Sequence, residues 1–124
     1  MTIQDCYKEI GGDFAQLERR LPSAGLIKKF ITKFLDDDSY ANLNSAMQAG
    51  NREKAFRAAH TLKGVSANLC LGKLLDSTSR LTELLRPESD VISDAAAALF
   101  AEVSRDYQLT TGAIRAFLAA DRPL

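Results

Sequence analysis

The chain is 124 residues long, 46% hydrophobic and 26% charged, without tryptophan, so it can bury one core and is too short for two. Sixteen basic residues balance sixteen acidic ones, and no global field favours nucleic acid or an anionic membrane surface. No apolar run is long enough to span a bilayer, and the N-terminal MTIQDCYKEI lacks the basic-then-apolar build of a signal peptide, so a cytoplasmic location is expected.

Helical periodicity dominates, and no strand-like alternation competes with it. Residues 2–10 predict a short helix with Ile3, Cys6, Tyr7 and Ile10 on one side. Gly11-Gly12 breaks it, and Asp13 is placed to cap a second piece reaching about Arg20. Pro22-Ser23 announces a new start, after which Ile27, Phe30, Ile31, Phe34 and Leu35 form an apolar stripe. The DDDS run interrupts this helix, with Asp38 or Ser39 expected to cap the next. Tyr40, Leu43, Ala46 and Met47 line that segment and Gly50 ends it. Residues 24–49 can therefore be one kinked helix or two.

Asn51 is a good cap for a helix over about 51–69, and Gly72 marks a tight link to another over about 71–86. Leu71, Leu74, Leu75, Thr78, Leu81 and Leu85 carry the inner face of the latter, and Pro87 stops it. Ser89 or Asp90 is expected to open a last helix to about Ala120, with Ile92, Ala96, Leu99, Val103, Tyr107, Thr110, Ile114 and Leu118 keeping its rhythm. Gly112 costs that helix roughly 1 kcal/mol against alanine, too little to break it. The expectation is an all-α antiparallel four-helix bundle over 23–124, with a helical extension, 1–22, packing on it.

Two chemistries are set aside by composition. Cys6 and Cys70 have no metal-ligand spacing, the chain has one histidine, and a structural zinc needs about four such ligands. Free buried thiols are expected in their place. Asp36-Asp37-Asp38 reads as a solvated helix end, and Arg19-Arg20 and Lys28-Lys29 as solvated faces. No metal and no cofactor is expected.

The single histidine, His60, lies within FRAAHTLKGVSANL. At about 100° per residue, with His60 at zero, Val65, Ala58, Leu69, Leu62 and Ala55 fall between about 140° and 220°. Glu53, Arg57, Lys63, Gly64 and Ala67 share the histidine's own side. A core histidine would sit within the apolar stripe, and this one faces away from it. Lys63 and Gly64, three and four residues on, flank the ring one turn away. A mid-helix glycine costs roughly 1 kcal/mol, and here it lets another molecule approach. Lys63 offers a mobile cation to an anion carried on the ring, and Ala59 and Ala67 are expected to keep the patch low. An exposed imidazole offers an unprotonated ring nitrogen that can act as a nucleophile. The arrangement suits a phosphoryl acceptor.

AHTLKGVSANL resembles the signature of histidine-containing phosphotransfer (HPt) domains, centred on His-x-Leu-Lys-Gly within a helix. His60, Leu62, Lys63, Gly64, Ser66 and Asn68 match it. Val65 departs from the small residue usual there, and Cys70 stands where glycine is common. The resemblance implies a four-helix bundle whose His60, through Nε2, takes a phosphoryl group from a receiver-domain aspartate and passes it to another. From their places on the histidine's face, Lys63 is expected to be the phosphate's counter-charge, Gly64 the access point, and Arg57 and Ala67 partner contacts, while a Mg2+ is expected on the receiver. Response-regulator receivers, and a hybrid sensor kinase among the donors, are the partners implied, with no nucleic acid and no membrane. A monomer is expected.

No kinase or Walker-type glycine loop occurs, so a carrier without catalytic turnover of its own is expected. The alternatives are the phosphoacceptor domain of a chemotaxis-type kinase, a histidine-kinase acceptor segment, and a helical binding module without phosphotransfer. Thr61 stands where a kinase dimerisation helix usually places an acid. The start at Met1 and the end soon after the last helix also favour the carrier.

Overall fold

A computed structural model describes residues 1–87 and 90–121. Among these residues all regular structure is helical: α1 (Ile3–Glu9), α2 (Phe14–Arg20), α3 (Ala24–Leu35), α4 (Ser39–Gln48), α5 (Arg52–Asn68), α6 (Gly72–Leu84) and α7 (Asp94–Ala120). Five of these starts, those of α1, α2, α3, α5 and α7, are set by short polar side chains that accept from backbone N–H groups left unpaired in a first turn. Thr2 accepts from Asp5, Asp13 from Gln16, Ser23 from Leu26, Asn51 from Lys54 and Ser93 from Ala96.

The 24–49 stretch is two helices. The break falls at residues 36–38, where Asp38 occupies the cap position of α4 without a side-chain cap bond. Asp38 thus stands at the expected cap position with Ser39 as the first helical residue, and the side-chain bond at this start is made one residue earlier, where the Asp37 carboxylate accepts from the Ser39 N–H at 2.9 Å. The last helix opens later than its periodicity suggests: Ser93 caps it and Asp90 is non-helical. Ser89 lies outside the described residues.

Helix α4 packs along α5, α5 along α6, and α6 along α7, while α3 and α1 both meet α7. The ring of helices closes through an aromatic stack. Tyr40 of α4 lies on Tyr107 of α7 with centroids 4.0 Å apart and planes 8° apart. Phe100 stacks on Tyr40 at 6.1 Å, and Phe34 of α3 meets Tyr107 at 6.1 Å. The Tyr40 hydroxyl donates to Ser104 Oγ at 2.8 Å. Such ring pairs contribute about 0.5–1.5 kcal/mol each beyond their buried area.

Leu43, Ala55, Leu62, Leu74, Leu81, Leu85, Val103 and Ile114 fill the interior. Two residues depart from the expected stripes. Phe30 is exposed on α3, with the Lys33 ammonium over its ring at 5.7 Å. Phe117, not Leu118, is the buried residue near the end of α7. In each case the neighbouring helices cover a slightly rotated arc of the wheel.

Residues of the first 22 hold the end of α5. The Tyr7 hydroxyl donates to the Leu69 carbonyl at 2.8 Å, and Arg20 donates to the Ala67 carbonyl at 2.7 Å. Cys70 then turns the chain at φ 55°, in the left-handed region glycine usually fills. Leu71 N–H closes the turn onto the Ser66 carbonyl at 2.9 Å. Cys6 and Cys70 are both free and buried; burial, with Glu9 nearby, pushes the Cys6 thiol up to about 11, and burial also raises Cys70. Gly72 starts α6 against the first interhelical turn, and a Cβ there would lie 1.8 Å from the Gly11 carbonyl oxygen.

Candidate functional site

Helix α5 carries the site, and its sequence dictates which face does what. Ala55, Ala58, Ala59, Leu62 and Ser66 are buried, and Leu69 is buried at its end. Glu53, Arg57, His60 and Gly64 are exposed on the other side, with Lys63 and Ala67 half-buried at its margin. The expectation that His60 faces away from the core holds. The expectation for Ala59 does not: it is fully buried. At about 260° on the wheel it sits under the helices that pack beside α5, so the buried arc is wider on that flank than the apolar pattern alone indicates.

Among the described residues the imidazole makes no hydrogen bond or ion pair and stands beside an aromatic ring. Its ring neighbour among the described residues is Phe56, one turn back, at 6.1 Å between centroids and 81° between planes. Thr61, next in sequence, turns its hydroxyl onto the Arg57 carbonyl at 3.0 Å and so offers the ring no base. Above the ring the surface is open. A Cβ built on Gly64 meets no heavy atom within 4 Å, so no packing demand of the fold accounts for the glycine.

Charge surrounds the ring without engaging it. Arg57 pairs with Glu53 one turn away, both side chains well exposed, and such exposed pairs are individually weak. Across from α5, the Glu83 carboxyl on α6 is held below its usual range, chiefly by hydrogen bonds from Arg86 and additionally by the positive charge of Lys63. Lys63 is thus within electrostatic reach of the α6 acid in the unmodified protein.

His60, Lys63 and Gly64 are brought together on one face, as the spacing requires. Arg57 lies exposed at one end of that face and Ala67 half-buried at the other. Sequence reasoning missed Phe56, Glu83, Arg86 and Arg52. Phe56 was findable, since a residue four before His60 shares its face. Glu83 arrives from α6 and Arg86 from just past its end, and no spacing within the chain announces them. Arg52 is buried despite its charge, and donates from Nη1 to the Leu85 carbonyl at 2.8 Å, tying the start of α5 to the end of α6.

Among the described residues no three His, Cys, Asp or Glu side chains converge as a metal site, and no helix is long and apolar enough to cross a membrane. The chemistry available at the surface is that of one exposed imidazole nucleophile beside a mobile cation, approachable over a glycine. In comparisons with known proteins, no curated protein and no solved structure matched the chain. A family model described as Hpt domain matches residues 4–118, nearly its whole length. The fold, the exposed histidine and that match agree, and the chain belongs to the Hpt domain family of phosphotransfer modules in phosphorelays.

Proposed function

We propose that the protein is a phosphocarrier whose His60 takes a phosphoryl group from the aspartyl phosphate of one receiver domain and delivers it to the aspartate of another. The observation that supports this reading best is an exposed imidazole with open space over Gly64 and Lys63 alongside. Hpt domains work with receiver domains of two-component systems, whose acidic pocket supplies the Mg2+ and the in-line geometry.

The step balances simply. A lone pair on Nε2 attacks phosphorus, the bond from phosphorus to the aspartate oxygen breaks, and the carboxylate leaves with that electron pair. The N–P bond formed leaves an imidazolium-type ring, which is the leaving group when a second aspartate attacks. Lys63 offsets the added negative charge, screened because the site is open. Arg57 and Ala67, at the two ends of the histidine's face, meet the docked receiver. The carrier has no turnover of its own, and it works in the cytoplasm as a monomer.

Incubation with a phosphorylated receiver, or with a small phosphoramidate donor, tests this. The expected label is acid-labile and base-stable, and ATP alone yields none. His60→Gln abolishes the label while helix content is kept, since exposed positions rarely change stability by more than about 0.5 kcal/mol. Labelling that persists in His60→Gln would overturn the assignment.

A further inference from the structure

We propose that Phe56 is a positioning residue for His60, and that Arg86, two residues past the end of α6, covers it and holds it in place. The inference rests on His60 being the acceptor and concerns what aims its ring.

An exposed imidazole turns freely about two side-chain torsions, yet in-line transfer needs one ring nitrogen directed at phosphorus, and misdirection is costly in rate. The structure supplies a restraint. Phe56 precedes His60 by one turn, so the two side chains stack along the helix face. Their rings meet edge-to-face, 6.1 Å apart at 81°, the arrangement the aromatic quadrupole favours. Phe56 is itself half-buried and is covered by the Arg86 guanidinium, 5.7 Å from its centroid.

Arg86 is in turn oriented by Glu83, in a pair whose side chains are both about half exposed. Its Nε donates to Glu83 Oε2 at 2.7 Å and its Nη2 to Glu83 Oε1 at 3.1 Å, a forked pair that sets the orientation of the guanidinium plane. The backbone beneath is pinned by Arg52, which lies one turn before Phe56 and holds the Leu85 carbonyl at 2.8 Å. The end of α6 is therefore registered against the start of α5, and Arg86 is delivered over Phe56. The wall on the α6 side of the imidazole is then Phe56, with the Gly64 side left open for the partner.

Two kinds of measurement test this. Phosphoryl transfer from a phosphorylated receiver is followed at saturating receiver for Phe56→Leu, Phe56→Tyr, Arg86→Gln and the Phe56→Leu/Arg86→Gln double variant. Phe56→Leu is expected to slow transfer about 3- to 10-fold with the half-saturating receiver concentration unchanged, and Phe56→Tyr to transfer at the parental rate. Arg86→Gln should lose less. Because Arg86 acts through Phe56, the double variant should be no slower than Phe56→Leu alone. In parallel, the imidazole proton resonances of His60 are recorded in the unphosphorylated protein, where an edge-to-face ring displaces them. Phe56→Leu should move them strongly and Arg86→Gln partly.

Independent, multiplying losses in the double variant would mean that Arg86 meets the phosphoryl group directly, and would overturn the proposal. So would parental transfer in Phe56→Leu, a loss confined to half-saturation, or unmoved His60 resonances. If Phe56→Leu lost helix content, the resonances and transfer rate of Arg86→Gln, which keeps the ring, would decide. Failure of the parent to label at His60 would sink the acceptor assignment alone, since the resonance displacement is read without phosphate.

Discussion

Gly64 separates access from stability in a single series of substitutions. A Cβ at this position meets nothing within 4 Å, so Gly64→Ala gains the helix-propensity difference of about 1 kcal/mol without a packing penalty, and Gly64→Gln about half of that. Unfolding entropy of about 2.1 cal/mol/K per residue over 124 residues gives about 0.26 kcal/mol/K. The two variants should therefore melt about 4 °C and about 2 °C above the parent. Function should move the other way. Positions 60 and 64 place their Cβ atoms about 5–6 Å apart, so a glutamine occupies the space an approaching receiver must enter. Crowding a packed contact costs about 1–3 kcal/mol, or about 5- to 150-fold in transfer rate; alanine, with one methyl, should fall near the low end. The assay is single-turnover transfer from a phosphorylated receiver at low and high ionic strength, beside thermal unfolding of each variant. The steric loss should be the same at both salt concentrations. A Gly64→Gln protein that melted higher and still transferred at the parental rate would refute the idea that this glycine exists for access. One that melted lower would refute the open space on which the reasoning stands.

Lys63→Ala should slow transfer only about 2- to 5-fold, because the charge it removes is partly solvent-screened, and the loss should shrink as salt rises; a salt-independent loss would contradict an electrostatic role. Gly112→Ala should raise the melting temperature by about 4 °C without altering transfer, since nothing lies within 4 Å of its Cβ position. Gly72→Ala should lower it by about 10 °C or more, because its Cβ would lie 1.8 Å from the Gly11 carbonyl oxygen and the turn would have to move; an unchanged melt would show that this turn does not press on α6. Tyr7→Phe removes the hydroxyl that donates to the Leu69 carbonyl, and urea unfolding should register a loss of about 1–2 kcal/mol.

The sequence by itself determined the helices and the outward face of α5. Helix starts follow from caps that act within four residues, as at Asp13, Ser23 and Asn51, and the exposure of His60 follows from a wheel on which Leu62 and Leu69 stand opposite. Both are local, and local geometry is what periodicity encodes. The tertiary structure alone decided how wide the buried arc is, which places Ala59 inside and Phe30 outside, because that depends on which neighbours lie alongside. It also decided that Cys70 takes a left-handed turn and that Gly72 must lack a side chain, since both answer to the chain crossing at Gly11 and Gly12. And it brought Arg86 over Phe56, 30 positions away in the numbering: the side chains that can reach the ring from outside α5 are set by the register between two helices, which no spacing within either one contains.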